Sequence, residues 1–195
     1  MNSAVHLPAE GLVLVAPGGL AGTAAGSNLA ALLGLRPLLR SITAADAPDA
    51  LLTGLAAEPA GWLLPLSLDP AQDLEGAGCW AEALAAWRQP ALLLVPVDAD
   101  APLPAGCARA YAALLQLSGV PCLGLVQLGG DTPPQPQRDG LPWLGWLDPL
   151  GADAETGEAL AQALRLRIQL RWRDVSAARP DPPMPDPADA AARQA

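Results

Sequence analysis

The sequence predicts an open, doubly wound α/β sheet of five or six mostly parallel strands, covered by helices in three layers. Three observations predict it. Short apolar runs alternate with helix-like segments of ten to fifteen residues, the rhythm of β-α-β units whose successive strands run parallel. Runs such as "ALLLVPV" (91–97) are apolar at nearly every position rather than at alternate ones, as in strands buried on both faces. The first run leads straight into a glycine-rich turn and a helix, "LVLVAPGGLAGTAAGSNLAALLG" (12–34), a connection that carries the chain over the end of such a sheet.

The elements follow in order. "GLVLVA" (11–16) is the first strand and "GSNLAALLGL" (26–35) a helix, with "RPLLRSIT" (36–43) a second, more exposed strand. "APDALLTGLAAE" (47–58) is helical in pattern, and Asp46 before it is an expected N-cap. "GWLLPLSL" (61–68) is a strand in which Pro65 signals irregularity or an edge. "GCWAEALAAWR" (78–88) places Trp80, Leu84 and Trp87 on one helical face. Strand 91–97 is followed by the helix "AGCARAYAALLQLSG" (105–119), closed by Gly119, and by the strand "PCLGLVQL" (121–128). "GGDTPPQPQRDG" (129–140) is a loop by composition, and "LPWLGWL" (141–147) is a short last strand.

The run "LRLRIQLRWR" (164–173) alternates apolar and polar residues like a strand, which would collect Arg165, Arg167, Arg171 and Arg173 on one face. Its residue types favour a helix, however, and Leu160, Leu164, Ile168 and Trp172 form an i, i+4 stripe. We read it as one helix with a solvated basic end, or else with an anion or partner patch. A single domain is expected over residues 1–173. Beyond it, "SAARPDPPMPDPADAAARQA" has five prolines and little to bury, so residues 174–195 are expected to be a disordered tail.

Composition excludes several function classes. The chain has 195 residues, 51% of them apolar, and a net charge of −9, which argues against sequence-independent nucleic-acid binding. All 11 basic residues are arginine. No apolar run reaches the ~18 residues of a membrane span, and "MNSAVHLPAEG" lacks the basic start and apolar core of a secretory leader. A cytoplasmic location is therefore expected, with no membrane partner. Cys79, Cys107 and Cys122 form no C-x-x-C pair, so neither a disulfide framework nor a zinc site is expected; they read as buried small apolar residues. His6 is the single histidine, and no G-x-S-x-G or H-E-x-x-H occurs.

The glycine-rich turn has the outline of a phosphate loop. Gly18, Gly19, Gly22 and Gly26 supply backbone freedom, Thr23 and Ser27 offer hydroxyls, and Asn28 lies in the following helix. A working loop also needs a lysine to reach the β/γ oxygens, and Ala25, Gly26 or Ser27 stands in that slot. Losing that cation should cost several kcal/mol of transition-state stabilisation. Asp98 and Asp100, after strand 91–97, stand where open sheets bind ligands and are weighed as Mg²⁺ ligands against plain turn formers.

Three stretches together resemble the dethiobiotin synthetase family and its P-loop relatives. They are the loop itself, "AAEPAGWLLPLSLD" (56–69), and the segment from Trp80 through "LPWLGWL" (80–147). The resemblance implies a P-loop-like α/β fold, a dimer, and Glu58 as a metal-associated acid. It also marks departures: the lysine is missing, only about forty residues separate Gly18 from Glu58, and "QLGGD" with Gln127 replaces the Asn-based base motif. The expectation is a pseudoenzyme with no cofactor, acting through a protein partner or as a homodimer. The alternative is an ATP-dependent ligase or nucleotide-binding protein with a divergent loop, Glu58 or Asp98 on Mg²⁺, and Arg36 or Arg40 folded back in place of the lysine. Trp62, Trp80, Trp87, Trp143, Trp146 and Trp172 read either as substitutes for the absent phenylalanine in the core or, at Trp143 and Trp146, as an interaction surface.

Overall fold

A computed structural model describes residues 11–20, 24–76, 78–97, 103, 106–130, 140–147 and 154–177. Six strands form one all-parallel sheet: β1 (Leu12–Val15), β2 (Arg36–Pro37), β3 (Trp62–Pro65), β4 (Ala91–Pro96), β5 (Cys122–Leu128) and β6 (Trp143–Leu147). Their spatial order is β2-β3-β1-β4-β5-β6. The helices are α1 (Ala24–Leu33), α2 (Pro48–Ala56), α3 (Trp80–Ala86), α4 (Cys107–Ser118) and α5 (Ala154–Ala177). This is the doubly wound, three-layer α/β/α arrangement that the alternation of apolar runs predicts.

Successive residues of a strand point to opposite faces, so one apolar run fills two cores. Val13, Val15, Leu64, Leu66 and Leu93 pack with α2, α3 and α4, while Leu12, Leu14, Leu63, Leu92 and Leu94 pack with α1 and α5. All ten of these are fully buried, and each contributes about 1.5–3 kcal/mol through removal of its side chain from water. That double demand is why the strands carry no polar alternation.

Local chemistry sets the helix ends. Gly119 closes α4 in the left-handed conformation, φ 83°, where glycine carries no Cβ penalty. At α2, Pro48 occupies the first turn and the N-cap is Ala47, with no side-chain cap. Asp46 therefore does not cap α2 as expected; its carboxylate accepts from the Thr43 N–H at 2.7 Å and the Thr43 hydroxyl at 2.8 Å, closing the preceding turn and holding its own pKa below the usual value.

The run 164–173 is helical. Leu164, Ile168 and Trp172 are buried against the sheet, and on a helix the four arginines diverge instead of sharing a face. Arg167 donates to the Leu144 carbonyl at 2.8 Å, tying α5 to β6. The helix continues to Ala177, four residues past the expected boundary at 173; the rest of the expected tail lies outside the described residues. The second strand is shorter than expected: only Arg36–Pro37 pairs with β3, at the sheet edge.

Trp62, Trp80 and Trp172 are core residues, as the substitution for phenylalanine anticipates. Trp87 lies partly exposed and donates to Asp49 at 2.8 Å, and Trp146 donates to the Gly129 carbonyl at 2.9 Å. Among the described residues no helix is long and apolar enough to cross a membrane.

Candidate functional site

In an open parallel sheet ligands bind outside the carboxyl ends of the strands, where the strand order reverses. Here the chain lays β2 and β3 on one side of β1 and then crosses to β4, β5 and β6 on the other. The turn after β1 lies at that reversal. Gly18 and Gly19 take positive φ, 73° and 81°, and the Gly19 N–H closes the turn on the Ala16 carbonyl at 3.0 Å.

The turn is pressed against the chain leaving β3. The Leu20 N–H donates to the Leu66 carbonyl at 3.0 Å, and a Cβ on Gly19 would lie 2.2 Å from the Ser67 carbonyl oxygen. Only glycine fits there, on both conformational and steric grounds. Gly26 is required for a different reason: a Cβ would meet the Pro65 ring at 2.4 Å, so this position brings α1 close to β3. Ser27 is half-buried and Asn28 exposed on the same helix.

The centre of the site is a residue that the sequence reading quoted but did not single out, Asp69. Its Oδ2 accepts from the Gly18 N–H at 2.7 Å and from the Tyr111 hydroxyl at 2.5 Å, and its Oδ1 accepts from the Ala71 N–H at 2.8 Å. The signal was available: Asp69 ends an apolar run at the carboxyl end of a strand, the same argument that singled out Asp98. Tyr111 is brought from α4. Burial first, then the hydrogen bond to Asp69 and its charge, push the phenol up to about 12, so it is a neutral donor at any physiological pH. Cys107, one turn earlier on α4, is also raised, by burial and then by Asp69. Its thiol is thus held away from the thiolate form that nucleophilic chemistry needs.

Glu58 stands elsewhere. It precedes β3, and Arg36 opens β2 opposite Trp62, so both lie at the amino end of the sheet, away from Gly18. Arg36 donates to Glu58 at 2.9 Å, which commits that guanidinium to Glu58 rather than to the loop. Arg40 is exposed and makes no ion pair among the described residues. Gln127 turns its amide inward, donating to the Gly129 carbonyl at 2.8 Å. Gly22, Thr23, Asp98, Asp100 and His6 lie outside the described residues. Among the described residues no three His, Cys, Asp or Glu side chains gather as metal ligands. The three cysteines are free and half-buried, more open than the full burial expected of them.

What this arrangement can do is limited by charge. One loop amide is already bound to a carboxylate, and that carboxylate is fixed by two further donors. No family model and no curated protein matches the chain. The fold and the geometry of the Gly18 turn are therefore the observations on which function rests.

Proposed function

We propose that the chain is a non-catalytic α/β protein, descended from a dethiobiotin-synthetase-like P-loop enzyme, that acts through a protein partner or as a homodimer. The observation that carries this reading is Asp69 on the Gly18 amide. A phosphate entering the turn would lose that donor and meet a carboxylate instead of a lysine. Two unit charges 4 Å apart repel by about 4 kcal/mol at an effective dielectric constant of about 20, more than one or two loop hydrogen bonds return. Partner contact is supported by apolar side chains left open on the helical layers: Leu117 on α4 is 88% exposed, and Leu166 and Leu170 on α5 are 56% and 51% exposed.

Calorimetric titration with ATP and Mg²⁺ tests the reading, with sedimentation of the protein alone beside it. The expected result is no heat up to millimolar nucleotide, for the native chain and for Asp69→Asn alike. Micromolar binding by the native chain would overturn it. Binding that appears only in Asp69→Asn would show that the carboxylate alone closes an otherwise intact loop.

A further inference from the structure

A cleft of about 530 Å³ opens at the other end of the sheet, below the amino ends of β5 and β6. The two helical layers meet there: α4 forms one wall and the last turns of α5 reach in from the opposite face of the sheet. Val120, Leu125, Leu141 and Pro142 give it an apolar lining, and Cys122 and Arg171 also line it, the Cys122 thiol donating to the Gly124 carbonyl at 3.7 Å. Among the described residues no carboxylate lines it, although the chain has 20 acidic residues to 11 basic ones.

Arg109 also reaches the cleft but already has a partner, so among the described residues Arg171 is the cation the cleft presents. Arg171 makes no ion pair among the described residues. Its charge is felt at the Cys122 thiol, where it draws the pKa down against a larger upward push from burial. Small-molecule sites commonly enclose about 300–1,000 Å³ of mostly apolar wall with a few placed polar groups. A guanidinium offers a planar fork that matches a carboxylate.

We propose that this cleft binds a small amphiphilic anion, a carboxylate with an apolar body, its acid group on Arg171 and its body against Val120, Leu125 and Leu141. The site is separate from the Gly18 turn and does not rest on the reading of that turn. Neither half of the ligand suffices: a neutral chain leaves Arg171 unanswered, and a bare anion leaves the apolar wall wet.

The test uses 4-phenylbutanoate, its neutral analogue 4-phenylbutanol, and inorganic phosphate, each titrated calorimetrically into the full chain. Alkylation of the three cysteines by iodoacetamide is followed by peptide mapping in the same samples. Phenylbutanoate is expected to bind at least about tenfold more tightly than either the alcohol or phosphate, the value of one charge-assisted hydrogen bond. It should slow alkylation of Cys122 while leaving Cys79 and Cys107 unprotected. Arg171→Gln, at an exposed position, should reduce its affinity to that of the alcohol. Ala113→Leu, which adds bulk to the α4 wall, should weaken acid and alcohol together. Equal binding of acid and alcohol, equal binding of phosphate, or an unchanged Arg171→Gln would each overturn the proposal. So would unprotected Cys122.

Discussion

At the carboxyl end of the sheet three donors, the Gly18 N–H, the Ala71 N–H and the Tyr111 hydroxyl, end on the single carboxylate of Asp69. At the amino end Arg171 faces a cleft with no carboxylate in its wall among the described residues. The first end is where an open α/β sheet ordinarily receives ligands, and here it is satisfied from within; the second is ordinarily structural, and here it keeps a charge with no ion-pair partner among the described residues. The contrast teaches that fold class locates a candidate site, whereas the local charge balance decides whether anything further can bind there.

The largest effect expected from breaking this contrast is at Gly19. Gly19→Ala combines a left-handed backbone with a Cβ driven into the Ser67 carbonyl, and should cost roughly 2–4 kcal/mol in denaturant unfolding. Gly140 at the cleft rim also has positive φ, 69°, but a Cβ there meets nothing. Gly140→Ala should therefore cost only about 1–2 kcal/mol. Equal costs would show that the Gly18–Gly19 turn is not pressed against the chain after β3.

Next in size is Asp69→Ala, which leaves three donors without their acceptor and should cost about 1–3 kcal/mol. It also sharpens the comparison spectroscopically, because Tyr111 is the one tyrosine of the chain. The phenolate absorbance titration should move down from about 12 without reaching the ordinary value near 10, since burial is the larger cause. The same shift sets a pH dependence. The folded chain holds the phenolic proton more tightly than the unfolded one, so this stabilisation is complete below the unfolded pKa of about 10. It declines as pH rises through the folded value of about 12. Tyr111→Phe should flatten the loss of stability across that window; a native-like slope in the variant would assign the loss to other groups.

The smallest effects belong to the amino end. Arg171→Gln should alter unfolding by no more than about 0.5 kcal/mol, in contrast to its expected effect on ligand affinity. Glu58→Gln removes an ion pair whose partners are 49% and 33% exposed, worth about 0–1 kcal/mol. If Glu58→Gln instead abolished a Mg²⁺-dependent property, its placement away from the turn would be contradicted.

The architecture was legible in the sequence because its cause is local. A strand buried on both faces must be apolar throughout, and β1, β4 and β5 declare themselves in that way, as Gly119 declares the end of α4. α5 was legible through the spacing of Leu164, Ile168 and Trp172, which outweighed an alternation that is a coincidence of arginine placement. The site was much less legible. Asp69 and Gly18 are 51 positions apart, and Asp69 and Tyr111 are 42 apart; these contacts exist only once β3 lies beside β1 and α4 packs across. Glu58 differs: it came from the family resemblance, and its place ahead of β3 in the chain already put it at the amino end of that strand. Asp46 was misplaced by one local rule overriding another: Pro48 already supplies a favourable first turn, and the carboxylate finds two donors on Thr43.

The two-residue strand β2 has a consequence for association. An edge strand exposes unpaired backbone groups on which a foreign strand can template itself. Here that edge is only Arg36–Pro37, and the imino ring of Pro37 removes one of its few amides. The Arg36 side chain, paired with Glu58, stands at the other position. This margin is therefore too short and too poor in donors to seed fibrillar stacking, so the sheet is protected from growing on that side by its own brevity.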